Sequence, residues 1–222
     1  AEAVLAPPLS LRLDEPVYRD TIYASRPIEA VRATLTVAAP NADRARVWLE
    51  DAAGKALQSA EVAVVGGRAA VRLPAAGLSA GRYRLRARSI AGEAALPGEA
   101  AVDVEVLPPA AVEVVLREDH VCLVNGRPFF PIGLWHAPDS DRALSELGRA
   151  GINLVYRTTV TPELLDRMAR FNIKAVAGIR HALPADPAGR QAWEAAARQR
   201  TEATRNHPGL LGYFLIDEPL WC

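Results

Sequence analysis

His207-Pro208-Gly209-Leu210-Leu211-Gly212-Tyr213-Phe214-Leu215-Ile216-Asp217-Glu218-Pro219 decides how the second half of this 222-residue chain is read. The run from Leu210 to Ile216 is apolar on both faces, the pattern of a parallel strand covered by helices. It stops at two adjacent carboxylates and a proline. Barrels and open sheets of the α/β class place their chemistry at the carboxyl ends of such strands. Asp217 and Glu218 are therefore the first functional candidates.

Upstream of this run, strand and helix patterns alternate. Val121-Cys122-Leu123-Val124-Asn125-Gly126-Arg127-Pro128-Phe129-Phe130 reads as a hairpin about an Asn-Gly turn. Pro131 to Trp135 is a strand, and Asp139 to Ala150 a helix opened by Asp-Ser-Asp capping candidates. Ile152 to Tyr156 is the second strand. Thr161-Pro162-Glu163 opens the next helix with Thr as N-cap and Pro in the first turn. Ile173 to Ile179 is the third strand. A helix from about Pro187 to Arg205 places Trp193 and several alanines on its buried side. Leu210 to Ile216 is the fourth strand, so the series predicts parallel βα units.

The first half is written differently. Short alternating runs separated by turn residues extend from about Leu9 to Leu107. They include Val31–Val37, Ala45–Glu50, Gly81–Arg88 and Ala101–Leu107. Glu61–Val65 and Arg68–Leu73 flank Gly66-Gly67, a two-residue hairpin signal. Roughly six to eight strands at this spacing predict an antiparallel sandwich of immunoglobulin or fibronectin type. The arginines at 82, 84, 86 and 88 share one face of their strand and read as a solvated sheet face. Pro108-Pro109 marks a stiff linker. The expected organisation is a β-sandwich over residues 1–107, a linker and connecting strand over 108–120, and a partial (β/α)₈ barrel of about four βα units over 121–222. A complete barrel needs about 250 residues, so the reading expects only its first half here.

Composition narrows the function classes. Half the residues are hydrophobic, and 26 basic side chains balance 26 acidic ones. That balance points neither to nucleic acid nor to an anionic membrane. No apolar run reaches the roughly 18 residues of a membrane span. The two cysteines, Cys122 and Cys222, fit neither a disulfide scaffold nor a metal spacing. Ala1-Glu2-Ala3 lacks the charged and apolar segments of a signal peptide; it reads as a mature terminus left by cleavage or as an interior cut.

Each predicted strand of the second half ends in a residue able to do chemistry: His136, Arg157, His181 and Asp217-Glu218. If adjacent and parallel, these ends form one rim suited to a hydroxyl-rich ligand. Trp135 and Trp221 would add flat faces for sugar rings. Structural readings stand beside these. Arg157 suits a bridge between strand ends, His181 a solvated or capping histidine, Trp135 a core tryptophan, and Asn206-His207-Pro208 a helix stop.

Asn125-Gly126-Arg127-Pro128-Phe129-Phe130-Pro131-Ile132-Gly133 resembles the segment leading into the barrel of retaining clan A glycoside hydrolases, which include β-galactosidases, β-glucuronidases and cellulases. Gly151-Ile152-Asn153-Leu154-Val155-Tyr156-Arg157 is similar to their second strand, and His207-Pro208 through Glu218-Pro219 to their fourth. The sandwich-then-barrel order is similar as well. The resemblance implies a fragment of a secreted or periplasmic glycosidase working by double displacement. Glu218 would be the general acid/base, and Arg157, His181, Asp217, His136, Trp135 and Trp221 would bind substrate. The nucleophile, a glutamate on the family's seventh strand, would be missing from these residues. An oligo- or polysaccharide is the implied partner, with no cofactor and no metal. Asp217 departs from the asparagine usual in the family. It can accept from a sugar hydroxyl but not donate to one, and its charge would favour a protonated Glu218.

Two rivals remain. One is a non-catalytic module that binds carbohydrate or protein. The other is a metal-dependent hydrolase using His136, His181 and Asp217, disfavoured because no His-x-His pair follows the first barrel strand. An open half barrel would also present unpaired edges, so self-association is expected.

Overall fold

The computed structural model describes residues 9–179 and 184–214. They fall into two compact units that divide between Pro109 and Ala110.

The first unit is built of β1 (Leu9–Glu15), β2 (Thr21–Ile22), β3 (Ala30–Val37), β4 (Arg44–Asp51), β5 (Ala56–Ala63), β6 (Arg68–Pro74), β7 (Gly81–Ala91), β8 (Ala94–Ala95) and β9 (Ala100–Val106). One sheet runs β1-β3-β6; the other runs β2-β9-β7-β4-β5, with β8 on β7. Period-2 alternation supplies the core between them. Val31, Ala33, Leu35 and Val37 of β3 and Ala69, Val71 and Leu73 of β6 share one cluster with Val47 and Leu49 of β4 and Tyr83, Leu85 and Ala87 of β7. The other face of β7 carries the arginine stripe, and it is laddered with acids. Arg84 binds Asp103 at 2.7 Å, Arg86 binds Glu50 at 2.7 Å and Glu99 at 2.8 Å, and Arg88 also reaches Glu99.

The Gly66-Gly67 signal needs correction. The turn itself forms, with φ of 58° and 73° and a bridge between Val65 and Arg68. The strands beside it then part company: β5 pairs with β4, while β6 pairs with β3. The expected strand Glu61–Val65 is instead β5, which ends at Ala63. Turn chemistry sets a local reversal, whereas the sheet partner follows from which apolar face remains to be covered. Val71 and Leu73 complete the core beside β3; β5, half exposed along its length, serves as an edge. The turn is held from both sides, because Val37 N–H donates to the Gly67 carbonyl at 2.8 Å and Val64 N–H to that of Asp43 at 2.9 Å.

The second unit opens with a small antiparallel sheet of β10 (Val114–Leu116), β11 (Cys122–Val124) and β12 (Arg127–Pro128). Asn125 and Gly126, at φ 49° and 75°, turn β11 into β12 as an Asn-Gly hairpin requires. The Asn125 Oδ1 also accepts the Glu113 N–H at 2.7 Å. There follow β13 (Gly133–Trp135), α1 (Asp141–Arg149), β14 (Leu154–Arg157), α2 (Pro162–Ala169), β15 (Lys174–Gly178), α3 (Pro187–Thr204) and β16 (Leu210–Phe214). The four strands lie in chain order, all parallel.

Caps start α1 and α2 where the sequence places them, and Asp186 caps α3. Ser140 Oγ accepts the Ala143 N–H at 3.3 Å, and Thr161 Oγ1 that of Leu164 at 3.3 Å. Asp186 Oδ1 accepts the Gly189 N–H at 2.7 Å. Leu144 of α1 and Leu164, Leu165 and Met168 of α2 pack on Val155, Ala175, Ala177 and Leu210 of the sheet. The helix α3 departs from its expected burial. Thr204 is its one fully buried residue, and Trp193 is only half buried. Trp193 and the alanines beside it line a cleft of about 260 Å³ with Ile179 and Pro184, because methyl groups are too short to fill it. Among the described residues no helix is long and apolar enough to cross a membrane.

Candidate functional site: an aromatic rim on the parallel sheet

Parallel register decides which side chains meet. Trp135 of β13 lies opposite Tyr156 of β14, and Gly178 of β15 lies opposite Phe214 of β16. These positions alternate with Val155, Ala175, Ala177 and Leu210, which face the helices. The aromatic residues therefore occupy the other face, close to the carboxyl ends of the strands. Trp135 stacks on Tyr156 with ring centroids 3.7 Å apart and planes 13° from parallel. Phe214 meets both rings edge-on, at 5.3 Å from Trp135 and 5.2 Å from Tyr156. His136 sets its ring edge-on to Tyr156 at 5.3 Å.

Phe214 reaches Tyr156 across β15 because β15 has a glycine there. A Cβ on Gly178 would stand 2.7 Å from the Tyr156 hydroxyl oxygen, closer than van der Waals contact allows. His136 is at φ 57°, in the left-handed region that costs a non-glycine residue about 1–2 kcal/mol. Its N–H donates to the Tyr156 carbonyl at 3.3 Å, and its side chain is exposed. Trp135 remains 52% exposed although Tyr156 stacks against one side of its indole. A tryptophan supported from beneath and open above offers a flat face to the C–H side of a sugar ring.

Arg157 sits elsewhere. Alternation turns it to the helix-covered face, where one guanidinium nitrogen donates to the Ala137 carbonyl and the other to Asp139 Oδ2 at 3.2 Å. Arg167 of α2 also approaches Asp139, at 3.9 Å. These bonds tie the end of β14 to the loop after β13, the bridge between strand ends that the sequence left open. His207 takes the role of a helix stop: its Nδ1 accepts the Gly209 N–H at 3.0 Å, and its Nε2 lies 3.1 Å from Asp166 Oδ1.

The structure thus joins Trp135 and His136 to Tyr156 and Phe214, and sets Arg157 apart from them. His181, Asp217, Glu218 and Trp221 lie outside the described residues, as do Leu215 and Ile216 at the end of the predicted fourth strand. Tyr156, Phe214 and Gly178 escaped the sequence reading. The signal was present as the spacing of Tyr156 and Phe214 from their strand ends, but in strands apolar on both faces that spacing does not show which face is covered. Among the described residues no group of three or more His, Cys, Asp or Glu side chains could hold a metal ion.

No family model matches the chain, and no curated protein matches it. Solved structures to which it is similar include a β-glucuronidase of Parabacteroides merdae, at 15% identity and TM-score 0.38, covering 97% of this chain and 29% of that one. Another is the β-glucuronidase of Ruminococcus gnavus in complex with D-glucuronic acid, at 16% identity and TM-score 0.37, covering 96% and 38%. A third is that of Bifidobacterium dentium complexed with coumarin-3-O-glucuronide, at 16% and 0.37, covering 92% and 36%. The chain spans about a third of the length of these structures.

Proposed function

We propose that this chain is part of a retaining glycoside hydrolase, an immunoglobulin-like sandwich followed by the first four βα units of a barrel. Glu218 serves as general acid/base. The observation that carries this reading is the parallel order β13-β14-β15-β16, in which the chain leaves β16 at the end of the sheet that bears Trp135, His136 and Tyr156. Asp217 and Glu218 follow Phe214 within a few residues of sequence. The resemblance of residues 125–133, 151–157 and 207–219 to clan A glycosidases adds support from the sequence.

In this reading the indole of Trp135 takes the apolar face of the sugar, and His136 and Asp217 hydrogen-bond its hydroxyls. Glu218 protonates the departing oxygen and then deprotonates the incoming water. The nucleophile is a second carboxylate, about 5–5.5 Å from the first in retaining enzymes, supplied by a later strand. The test is Glu218→Gln in a polypeptide carrying the whole barrel. Hydrolysis of alkyl glycosides, whose leaving groups need protonation, should fall by roughly 10²–10⁴-fold. Aryl glycosides with activated leaving groups should keep much of their first-step rate. Equal turnover of both by variant and parent overturns the assignment.

A further inference from the structure

We propose that the outward face of the larger sheet in the first unit binds a neutral pyranose, at a site independent of the parallel sheet and of the glycosidase reading. A cleft of about 370 Å³ opens there over β4, β5 and β7, beside the β7–β8 hairpin. Its floor is apolar, made by Trp48 and Ile90; Arg46, Arg88, Glu61 and Glu93 are among its charged walls. The volume lies at the lower end of the ~300–1,000 Å³ usual for small-molecule sites, enough for one or two sugar rings.

The floor and much of the wall are held in place before any ligand arrives. Trp48 Nε1–H donates to Glu50 Oε2 at 3.2 Å, and Glu50 Oε1 accepts from Arg86 at 2.7 Å. Arg86 donates in turn to Glu99 at 2.8 Å, and Glu99 also accepts from Arg88. Glu61 accepts from Arg44 at 3.0 Å. Such a network fixes the indole and lowers the ordering cost of binding. Arg46 lies opposite both Glu61 and Arg88 in the ladder, yet no ion pair engages Arg46 or Glu93 among the described residues. They are the donor fork and the paired acceptor that remain for a ligand.

The chemistry then selects the ligand class. Indole accepts the C–H face of a pyranose, while a guanidinium donating two N–H bonds and a carboxylate accepting two suit vicinal hydroxyls. Acidic and basic side chains nearly balance around the cleft, so an anionic sugar gains no net attraction. A plain aromatic ring would leave Arg46 and Glu93 without partners.

The test titrates the full chain with methyl β-D-glucopyranoside, methyl β-D-galactopyranoside and methyl α-D-mannopyranoside by calorimetry and saturation-transfer NMR. D-glucuronate and benzyl alcohol serve as the anionic and aromatic comparators. At least one neutral glycoside should saturate with a dissociation constant in the millimolar range. Trp48→Ala should weaken it about tenfold or more, Arg46→Ala and Glu93→Ala should each weaken it several-fold, and Arg72→Ala, exposed on the other sheet, should leave it unchanged. Should Trp48→Ala fail to fold, the two exposed variants decide. Failure of every neutral glycoside to saturate below ~50 mM overturns the proposal. Tighter binding of glucuronate or benzyl alcohol, or loss of binding in Arg72→Ala, overturns it equally.

Discussion

The missing methyl group at Gly178 is what allows Tyr156 to lie beneath Trp135. With a Cβ placed 2.7 Å from the Tyr156 oxygen, either the phenol or β15 must move. Both are confined, since Tyr156 is buried and stacked and β15 is paired on both sides. Gly178→Ala is therefore expected to destabilise the second unit by about 1–3 kcal/mol, the usual cost of overpacking. Urea denaturation measures the loss, and iodide quenching of tryptophan should change as the Trp135 stack loosens. Unchanged stability would show that the tyrosine has room to swing aside. Trp135 and His136 were legible in the sequence because they end a strand with atypical side chains. Tyr156 and Phe214 were not: the run from Leu210 reads as apolar on both sides, and the short Ile152–Tyr156 strand does not by itself show which side is covered. Only the parallel register, a long-range property, shows which face the helices cover.

At the scale of elements, helix starts and hydrophobic contacts differ in magnitude and can be ranked. Ser140 and Thr161 each satisfy one N–H of a helix's first turn, so Ser140→Ala and Thr161→Ala should each cost about 1 kcal/mol. Leu165 is fully buried between α2 and the sheet, and Leu165→Ala should cost about 2–5 kcal/mol. Chemical denaturation of the three variants should preserve that order. A cap variant costing more than Leu165→Ala would mean that the helix ends carry the unit. These caps were readable because a Ser or Thr and its first-turn neighbours, Asp141 after Ser140 and Pro162 after Thr161, act within one turn of chain. The same locality explains why Gly66-Gly67 misled. Both glycines adopt the positive φ of a tight turn, but nothing within two residues records that β6 belongs beside β3. Trp193 misled for a related reason: helical spacing assigns a face, while the depth of its burial depends on what packs against α3.

For the molecule as a whole, charge and exposed apolar surface set the behaviour in solution. The hydrogen bond from Arg84 holds the Asp103 carboxyl below its ordinary 3.8. Burial pushes Glu99 upward, but the hydrogen bonds and charges of Arg86 and Arg88 outweigh it and leave that carboxyl below 4.5. Folded values below unfolded ones mean stability that is complete above about pH 4.5 and lost as pH falls through the lowered values. The melting temperature of the first unit should therefore drop steadily below that point, and less steeply in high salt, because exposed pairs are each worth at most about 1 kcal/mol. The second unit faces a different difficulty. Among the described residues β13 and β16 each have a strand on one side only. Just before β13, Phe130 is 80% exposed and Ile132 47%, and within it Leu134 is 41% exposed. Unpaired N–H and C=O groups next to apolar side chains make a template for another strand. A second copy of the chain supplies one, so the sedimentation coefficient of the isolated chain should rise with concentration. Phe130→Lys combined with Ile132→Lys places charges along that border without disturbing the helix-facing core, and should return the chain to monomer with its melting curve intact. A parent chain that stays monomeric at every concentration would mean that these edges are already covered.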